Sequence, residues 1–250
     1  MRFEHKVVVI TGAGAGFGAA FAAAFAAEGA AVAVTDIDLD AAQRVAAQIT
    51  GNGQKAIAVR CDIADPEQVD AMVAATAAEF GGIDVLINNA GRHLTKYSQP
   101  FREQSRQDLH DLFEVNVHGT IQCTLACYDS MQARGGGAIV NISSMASHMG
   151  VSPYGVSKLA VRGLTTAFAV EFAPAAIRVN AISPGLMGTE AALADLPQEM
   201  IRDFVDNKQL LHRLGAVGDI VSAALFLCSS DASFITGQTL LVSGGYPIGF

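Results

Sequence analysis

The segment Thr11-Gly12-Ala13-Gly14-Ala15-Gly16-Phe17-Gly18 is the part of the sequence that is most informative about the fold. It directly follows an apolar, β-branched run and leads into an Ala-rich stretch with helical spacing of its apolar residues. Glycines let the backbone turn tightly and approach a pyrophosphate, while the N-terminus of the following helix supplies free N–H groups and positive partial charge. A strand before and a helix after the turn favour a dinucleotide site over a flexible turn without a ligand.

The same alternation of short β-branched runs and helical stretches continues along the chain. Strands are predicted at residues 7–11, 31–36, 56–61, 85–88, 138–143, 178–182 and 239–242, and helices at 16–28, 39–49, 66–80, 109–134, 154–172 and 219–229. Such alternation predicts a doubly wound α/β arrangement, the Rossmann fold, with a seven-stranded parallel sheet and helices on both faces. No linker divides residues 1–250, which predicts one domain. Residues 187–214 fit the alternation least well and are expected to form a substrate lid.

Composition excludes several classes of protein. The chain is 51% apolar and carries 16 basic against 24 acidic residues, a net charge of −8 without a basic patch, so nucleic acid is not an expected partner. Glu4 and the glycines of the turn interrupt the early apolar stretch, which argues against a signal peptide or a membrane span. We therefore expect a cytoplasmic protein. Four cysteines without a CxxC pair and scattered histidines predict no metal site.

An acidic residue ends the second predicted strand, in Val34-Thr35-Asp36. A carboxylate at this place accepts hydrogen bonds from both adenosine ribose hydroxyls and repels a 2′-phosphate, which predicts NAD rather than NADP. Ala15 and Ile37 agree, because neither offers the basic side chain that an NADP pocket needs. The alternative is that Asp36 caps the next helix, a role that Asp38 could fill equally well.

Tyr154 and Lys158 lie one helical turn apart, so their side chains can share one site. A phenol with a pKa near 10 is a poor base at neutral pH, and a nearby ammonium is expected to lower that pKa. Taken alone, the pair is better explained as an aromatic residue on the core at the start of a helix and a solvated charge. Asn116 falls in the middle of a predicted helix, where an asparagine is mildly unfavourable.

With these motifs in place, the chain resembles the short-chain dehydrogenase/reductase family along essentially its whole length. The resemblance rests on Thr11-Gly12, Gly16 and Gly18 (TGxxxGxG), Asp62-Ile63, Asn88-Asn89-Ala90-Gly91 (NNAG), Tyr154-Gly155-Val156-Ser157-Lys158 (YxxSK) and Pro184-Gly185 with Thr189 (PGxxxT). It implies a catalytic set of Asn116, Ser144, Tyr154 and Lys158, in which Ser144 is favoured over the adjacent Ser143. Asn116 would anchor a water that connects Lys158 to solvent.

The resemblance also implies two groups of binding residues. The cofactor-binding residues are Gly12, Gly14, Ala15, Gly16, Phe17, Gly18, Asp36, Ile37, Asp62, Ile63, Asn89, Ala90, Gly91, Tyr154, Lys158, Pro184, Gly185, Met187 and Thr189. The substrate pocket is expected to contain His93, Leu94, Ser144, His148, Met149, Leu186 and Tyr154.

A departure from the family lies in the loop between Ser144 and Tyr154, which has only nine residues and should widen or reshape the cleft. Together these features predict an NAD-dependent oxidoreductase that interconverts a secondary alcohol and a ketone, on a hydrophobic or cyclic small molecule. The alternatives are a 3-hydroxyacyl or 3-oxoacyl thioester oxidoreductase and a non-catalytic NAD-binding redox sensor. The family also implies a homotetramer.

Overall fold

A computed structural model describes residues 1–189 and 196–248. Its centre is a single sheet of seven parallel strands in the order β3-β2-β1-β4-β5-β6-β7, which confirms the predicted sheet. The strands are β1 (Val7–Thr11), β2 (Ala31–Asp36), β3 (Lys55–Arg60), β4 (Val85–Asn88), β5 (Gly137–Ile142), β6 (Ile177–Pro184) and β7 (Thr239–Val242). Because all strands run the same way, the residues that follow β1, β4, β5, β6 and β7 meet at one edge of the sheet.

Helices cover both faces of this sheet. They are α1 (Gly16–Ala27), α2 (Leu39–Gly51), α3 (Pro66–Phe80), α4 (Leu94–Tyr97), α5 (Arg106–Phe113), α6 (Thr120–Ala133), α7 (Pro153–Phe172), α8 (Gln198–Asp203) and α9 (Val217–Cys228). Side chains alternate along β1, so Val8 and Ile10 face one core with Phe21 of α1, while Val9 faces the other core with Phe168 of α7. The arrangement is therefore doubly wound, as the sequence predicts.

Helix starts differ in a way that bears on ligand binding. Asp38 caps α2 by accepting from the Ala41 amide at 3.1 Å, and the side chains of Asp65 and Ser152 likewise cap α3 and α7. These side chains accept hydrogen bonds from backbone N–H groups that would otherwise be unpaired at the start of a helix. At the start of α1, by contrast, Ala15 provides no side-chain cap. The alternative reading of Asp36 as a helix cap is therefore wrong, because Asp38 fills that role.

One long helix predicted at 109–134 is interrupted. It consists of α5, a π-helical turn at Glu114–Gly119, and α6. The hydroxyl of Thr120, the first residue of α6, donates to the Asn116 carbonyl at 2.9 Å. The Asn116 side chain forms hydrogen bonds with groups outside the helix. Hydrophobic spacing averages over such a one-residue widening and cannot locate it. The predicted strands at 56–61 and 138–143 are each shifted by one residue, and β6 extends to Pro184 because it pairs with β7 there.

The opposite edge of the sheet is held by a buried carboxylate, Asp84. It accepts from Lys6 Nζ at 3.0 Å, from the Val7 amide at 2.9 Å and from Arg134 Nη2 at 2.8 Å. Burial alone would raise the pKa of Asp84, but the hydrogen bonds from Arg134, Val7 and Lys6 outweigh it and lower that pKa. One side chain thus joins three separate parts of the chain at the edge away from the glycine-rich turn.

In the described part of the chain, no helix is both long and apolar enough to cross a membrane. Residues 1–189 and 196–248 also contain no cluster of three or more His, Cys, Asp or Glu placed to hold a metal ion. The four cysteines are free and buried. Burial raises the pKa of Cys61 and of Cys228 to about 12, which keeps these thiols protonated and unreactive.

Candidate active site

Four predicted catalytic residues come together where the strands end. Ser144 follows β5, Tyr154 and Lys158 lie in the first two turns of α7, and Asn116 belongs to the π-helical turn before α6. α7 begins at Pro153, an N1 proline that follows the Ser152 cap. The start of this helix therefore fixes Tyr154 at the same edge as the glycine-rich turn.

Tyr154 is half-buried beside Ser144. Loss of solvation raises the pKa of its phenol to about 12, and a hydrogen bond with the Ser144 side chain opposes that shift. The sequence led us to expect a pKa lowered by the Lys158 ammonium. The structure corrects this expectation, because burial has the larger effect on the phenol. Lys158 Nζ lies 5.9 Å from the Tyr154 ring centroid and donates its hydrogen bond to a different group.

That other partner of Lys158 is a backbone carbonyl. The buried ammonium donates to Ile142 O at 2.9 Å, and desolvation lowers its pKa to about 8. Gly91 packs against the same group, since a Cβ atom on it would lie 3.2 Å from Lys158 Nζ and 3.1 Å from Asn116 Oδ1. The glycine of the NNAG segment thus forms one side of the lysine site.

Asn116 ties two parts of the site together. Its Oδ1 accepts from the Arg92 amide at 2.7 Å, and its Nδ2 donates to Ser157 Oγ at 3.0 Å. Ser157 Oγ in turn donates to the Tyr154 carbonyl at 2.8 Å. The side-chain amide of Asn116 thereby holds the turn after β4 against α7. Its role in a proton relay stays a proposal.

The two adjacent serines after β5 point to different partners. Ser143 Oγ is buried and donates to the Lys158 carbonyl at 2.8 Å, so it supports α7 from behind. Ser144 Oγ accepts from the Ala146 amide at 3.2 Å and is bonded to Tyr154. Between the two, Ser144 is the hydroxyl placed to reach a substrate oxygen.

Near the end of β1, the glycine-rich turn is closed by contacts that exclude side chains. Gly12 has φ +63°, and a Cβ there would lie 2.8 Å from Ala90 Cα. A Cβ on Gly18 would overlap the Gly12 carbonyl oxygen and lie 2.7 Å from Asn89 Nδ2. Asn89 Nδ2 donates to the carbonyls of both Thr11 and Gly12 at 2.9 Å. The turn and the NNAG segment therefore form one unit.

Asp36 completes this side of the site. Its Oδ2 accepts from the Gly14 amide at 2.8 Å, and its Oδ1 accepts from the Asp38 amide at 3.0 Å. Each oxygen keeps a further lone pair for a hydroxyl donor. Together with the uncapped start of α1 and the open space around Gly16, these groups fit the pyrophosphate and ribose of a dinucleotide.

Several predicted cofactor residues use their side chains for packing. Phe17 packs on the core and lies 6.4 Å from the Phe21 ring, Ile63 is buried against Gly119, and Met187 is buried beside Gly215. Their contacts to a cofactor would come from the backbone. The remaining predicted residues lie along the same edge of the sheet: Ala15, Ile37, Asp62, Pro184, Gly185 and Thr189.

The predicted substrate residues are more scattered. His93 is exposed and caps α4, which begins at Leu94, through the Thr95 amide. His148 Nε2 lies 3.3 Å from Ser183 Oγ at the end of β6. Met149 is exposed, whereas Leu186 is buried and lines a separate cavity of about 300 Å³ with Gln209 and Val242. Part of the predicted lid at 187–214, residues 190–195, lies outside the described residues.

Two aromatic residues next to this cleft were not predicted from the sequence. The rings of Phe204 and Tyr246 meet edge to face with centroids 5.0 Å apart, and Tyr246 Oη lies 4.0 Å from Met149 Sδ. The three residues are far apart in the chain and share no motif or periodicity. No signal in a single sequence could have joined them.

Comparison with known proteins gives consistent matches over nearly the whole chain. A family model described as enoyl-(acyl carrier protein) reductase matches residues 12–247. A relative from Bradyrhizobium diazoefficiens, named as a probable short-chain type dehydrogenase/reductase, is 42% identical over 98% of this chain and 88% of its own. The cis-4-hydroxycyclohexanecarboxylate dehydrogenase of Sinomonas cyclohexanicum is 37% identical over 98% of this chain and 97% of its own.

Among solved structures, a 7α-hydroxysteroid dehydrogenase complexed with NADH and 7-oxo glycochenodeoxycholic acid superimposes with a TM-score of 0.91. It is 37% identical and the match covers 98% of this chain and 95% of that one. The likeness includes the elements that carry the glycine-rich turn and the start of α7.

Proposed function

The chain belongs to the short-chain dehydrogenase/reductase family of oxidoreductases, and from that premise we propose that it interconverts a secondary alcohol and a ketone with NAD as cofactor. The observation that carries the proposal is the placement of Ser144, Tyr154 and Lys158 at the edge of the sheet that holds the glycine-rich turn. A dinucleotide held by that turn would supply hydride chemistry at the same edge of the sheet as Tyr154.

In this proposal each residue has a defined task. Tyr154 exchanges a proton with the substrate oxygen, and Ser144 donates a hydrogen bond to that oxygen as charge develops on it. The Lys158 ammonium donates one hydrogen bond to the Ile142 carbonyl. Its remaining N–H groups can donate to a ribose hydroxyl in the cleft. The bound nicotinamide supplies the hydride acceptor or donor.

The raised pKa of Tyr154 sets a direction for the effect of pH. At neutral pH the phenol is protonated, which is the form that can donate to a ketone oxygen. Alcohol oxidation needs the phenolate, so its rate is expected to rise with pH until the phenol titrates.

The choice of NAD over NADP rests on Asp36. Its carboxylate already accepts from Gly14 and Asp38, so its charge is fixed beside the turn, where it would repel a 2′-phosphate. Ile37 is 58% exposed and adds no positive charge.

A hydrophobic or cyclic substrate is supported by the relatives, whose names specify hydroxylated rings, and by exposed apolar side chains such as Met149 at the cleft. A homotetramer is supported by apolar side chains that α6 and α7 leave exposed, Leu125, Leu159 and Val170. Size-exclusion chromatography with light scattering tests the assembly.

The experiment for the proposed function is an assay of the purified chain with NAD and a panel of alcohols. The panel contains cyclohexanol, a 7α-hydroxysteroid, 2-butanol and 3-hydroxybutyryl-CoA. Growth of reduced-nicotinamide absorbance with the ring alcohols is expected. Because the matching family model names acyl carrier protein, turnover of the thioester alone would favour the acyl alternative. Cofactor binding without turnover of any substrate would favour the non-catalytic sensor.

A further inference from the structure

The C-terminal segment, residues 243–248, crosses to the segment at 196–214. Both the Leu210 and Leu211 amides donate to the Gly244 carbonyl at 2.9 Å. A Cβ atom on Gly245 would lie 2.9 Å from Leu210 Cγ, so the Gly245 backbone also packs closely against the Leu210 side chain. The two segments are therefore joined at the level of the backbone.

Tyr246 adds a third segment to this junction. Its ring packs edge to face on Phe204, at an interplanar angle of 84°, and its hydroxyl reaches Met149 Sδ at 4.0 Å. The Tyr246 amide donates to Ser243 Oγ at 3.3 Å, which helps to fix the backbone that carries the ring. One side chain thus contacts both the 196–214 segment and the loop at 145–153.

The strand register places this junction at the same end of the sheet as the catalytic residues. β7 ends at Val242, which pairs with Pro184 at the end of β6, and the Gly185 amide donates to the Val242 carbonyl at 2.9 Å. The chain after Val242 therefore leaves the sheet at the edge where Ser144 and Tyr154 lie. Met149 itself belongs to the short loop that joins those two residues.

Apolar side chains surround the junction. Six of them are between 39% and 80% exposed: Met149, Val151, Met200, Leu210, Leu211 and Ile248. Two ion pairs lie in the same region, Asp203 with Lys208 and Arg213 with Asp219. An apolar rim next to a cleft suits a ligand with a large apolar surface.

We propose that Tyr246 is a specificity-determining residue that closes the cleft wall left open by the short loop and selects bulky ring alcohols over small ones. The contact with Phe204 holds the Tyr246 ring in one orientation before the substrate arrives, so little side-chain freedom is lost on binding. This inference rests on the proposed function, since it assigns a substrate class to the same site.

Tyr246→Ala tests the proposal, with Phe234→Ala as the control. Phe234 is a fully exposed aromatic residue before β7, at the opposite edge of the sheet. In Tyr246→Ala, the KM for a 7α-hydroxysteroid should rise about tenfold, the size of effect that the loss of one aromatic contact produces. The kcat/KM for cyclohexanol should stay within about twofold, and Phe234→Ala should change neither.

Two further variants separate the ring from its surroundings. Tyr246→Phe keeps the ring and should stay within about twofold of the unsubstituted chain on both alcohols, because only the contact to Met149 is lost. Phe204→Leu removes the supporting ring without changing the C-terminal segment and should raise the steroid KM in the same direction. It keeps the test open if Tyr246→Ala does not fold.

Steroid binding to the NADH-loaded protein, measured by calorimetry, distinguishes failure of this inference from failure of the proposed function. If no alcohol is oxidised, the proposed function fails, and a weaker steroid affinity in Tyr246→Ala still supports the role of Tyr246. An equal loss with steroid and cyclohexanol would show that Tyr246 only supports the fold. That result, or an unchanged steroid KM and affinity, would overturn the proposal.

Discussion

The glycine-rich turn and the substrate wall are built in opposite ways. The turn at residues 11–18 is contacted by groups on β1, β2 and β4, whose register fixes every partner. The wall is assembled from residues 145–153, 196–214 and 243–248, which lie outside the sheet. Backbone hydrogen bonds join 196–214 to 243–248, and the Tyr246 side chain connects them to the loop at 145–153. The turn is therefore positioned by the register of the sheet, whereas the wall depends on contacts outside the sheet and is free to change with the substrate.

Tyr154 stands where the two regions meet, and Tyr154→Phe should have the largest effect. It removes the proton-exchanging hydroxyl and keeps the ring, so kcat should fall by about 10³-fold or more while NAD affinity is unchanged. Stopped-flow turnover and fluorescence titration with NADH measure the two quantities. Tyr128→Phe removes a phenol on α6 and serves as the control. Retention of full activity in Tyr154→Phe would contradict the assignment.

Lys158 lies one helical turn after Tyr154, and its burial should be visible in the free energy of unfolding. Its folded-state pKa of about 8 lies below the unfolded value of 10.5. At pH below about 8 both states carry the charge and folding bears the desolvation cost in full. As the pH rises from about 8 toward 10.5, the folded lysine becomes neutral first and that cost disappears.

The free energy of unfolding is therefore expected to rise by up to about 3 kcal/mol over this window. Between about pH 7.5 and about pH 9.5 the expected rise is about 2 kcal/mol, and urea unfolding at these two pH values measures it. In Lys158→Met the rise should be absent. A rise of the same size in that variant would assign the effect to another group.

A single substitution can destabilise the glycine-rich turn without altering the substrate wall. Gly18→Ala forces a methyl group onto the Gly12 carbonyl and should lower the free energy of unfolding by about 2 kcal/mol. Gly163→Ala is the matched control, since this glycine lies inside α7 with no atom within 4 Å of its added Cβ. It should stabilise the protein by about 0.5–1 kcal/mol. Equal effects in the two variants would refute the packing account of the turn.

Asp36→Asn should have the smallest effect on activity, and it tests the choice between NAD and NADP. It keeps an acceptor for the Gly14 amide but removes the charge, so the ratio of kcat/KM with NADP to that with NAD should rise about tenfold. Asp38→Asn makes the same charge change two residues away and keeps the helix cap, so its ratio should stay constant. A shift of equal size in both variants would point to net charge rather than to position.

The difference between the two regions also explains what the sequence could predict. Local patterns located the strands to within about one residue at most ends, because each strand is a buried β-branched run between turn signals. The π-helical turn at Asn116 escaped prediction because it depends on bonds to Arg92 and Ser157. The predicted direction of the Tyr154 pKa shift was wrong because burial of the phenol raises its pKa, and the Lys158 ammonium donates to the Ile142 carbonyl instead of to the phenol.

Asp84 makes the stability of the protein sensitive to acid at the end of the sheet that lies away from the catalytic residues. Its lowered pKa means that its stabilising bonds are present above about pH 4 and disappear as the pH falls through the folded-state value. Lys6 and Arg134 would then face each other without a counter-ion. Because Tyr154 and Lys158 titrate far above this range, acid inactivation should begin as a loosening of the scaffold at its remote end, and the catalytic groups would be lost only as a result.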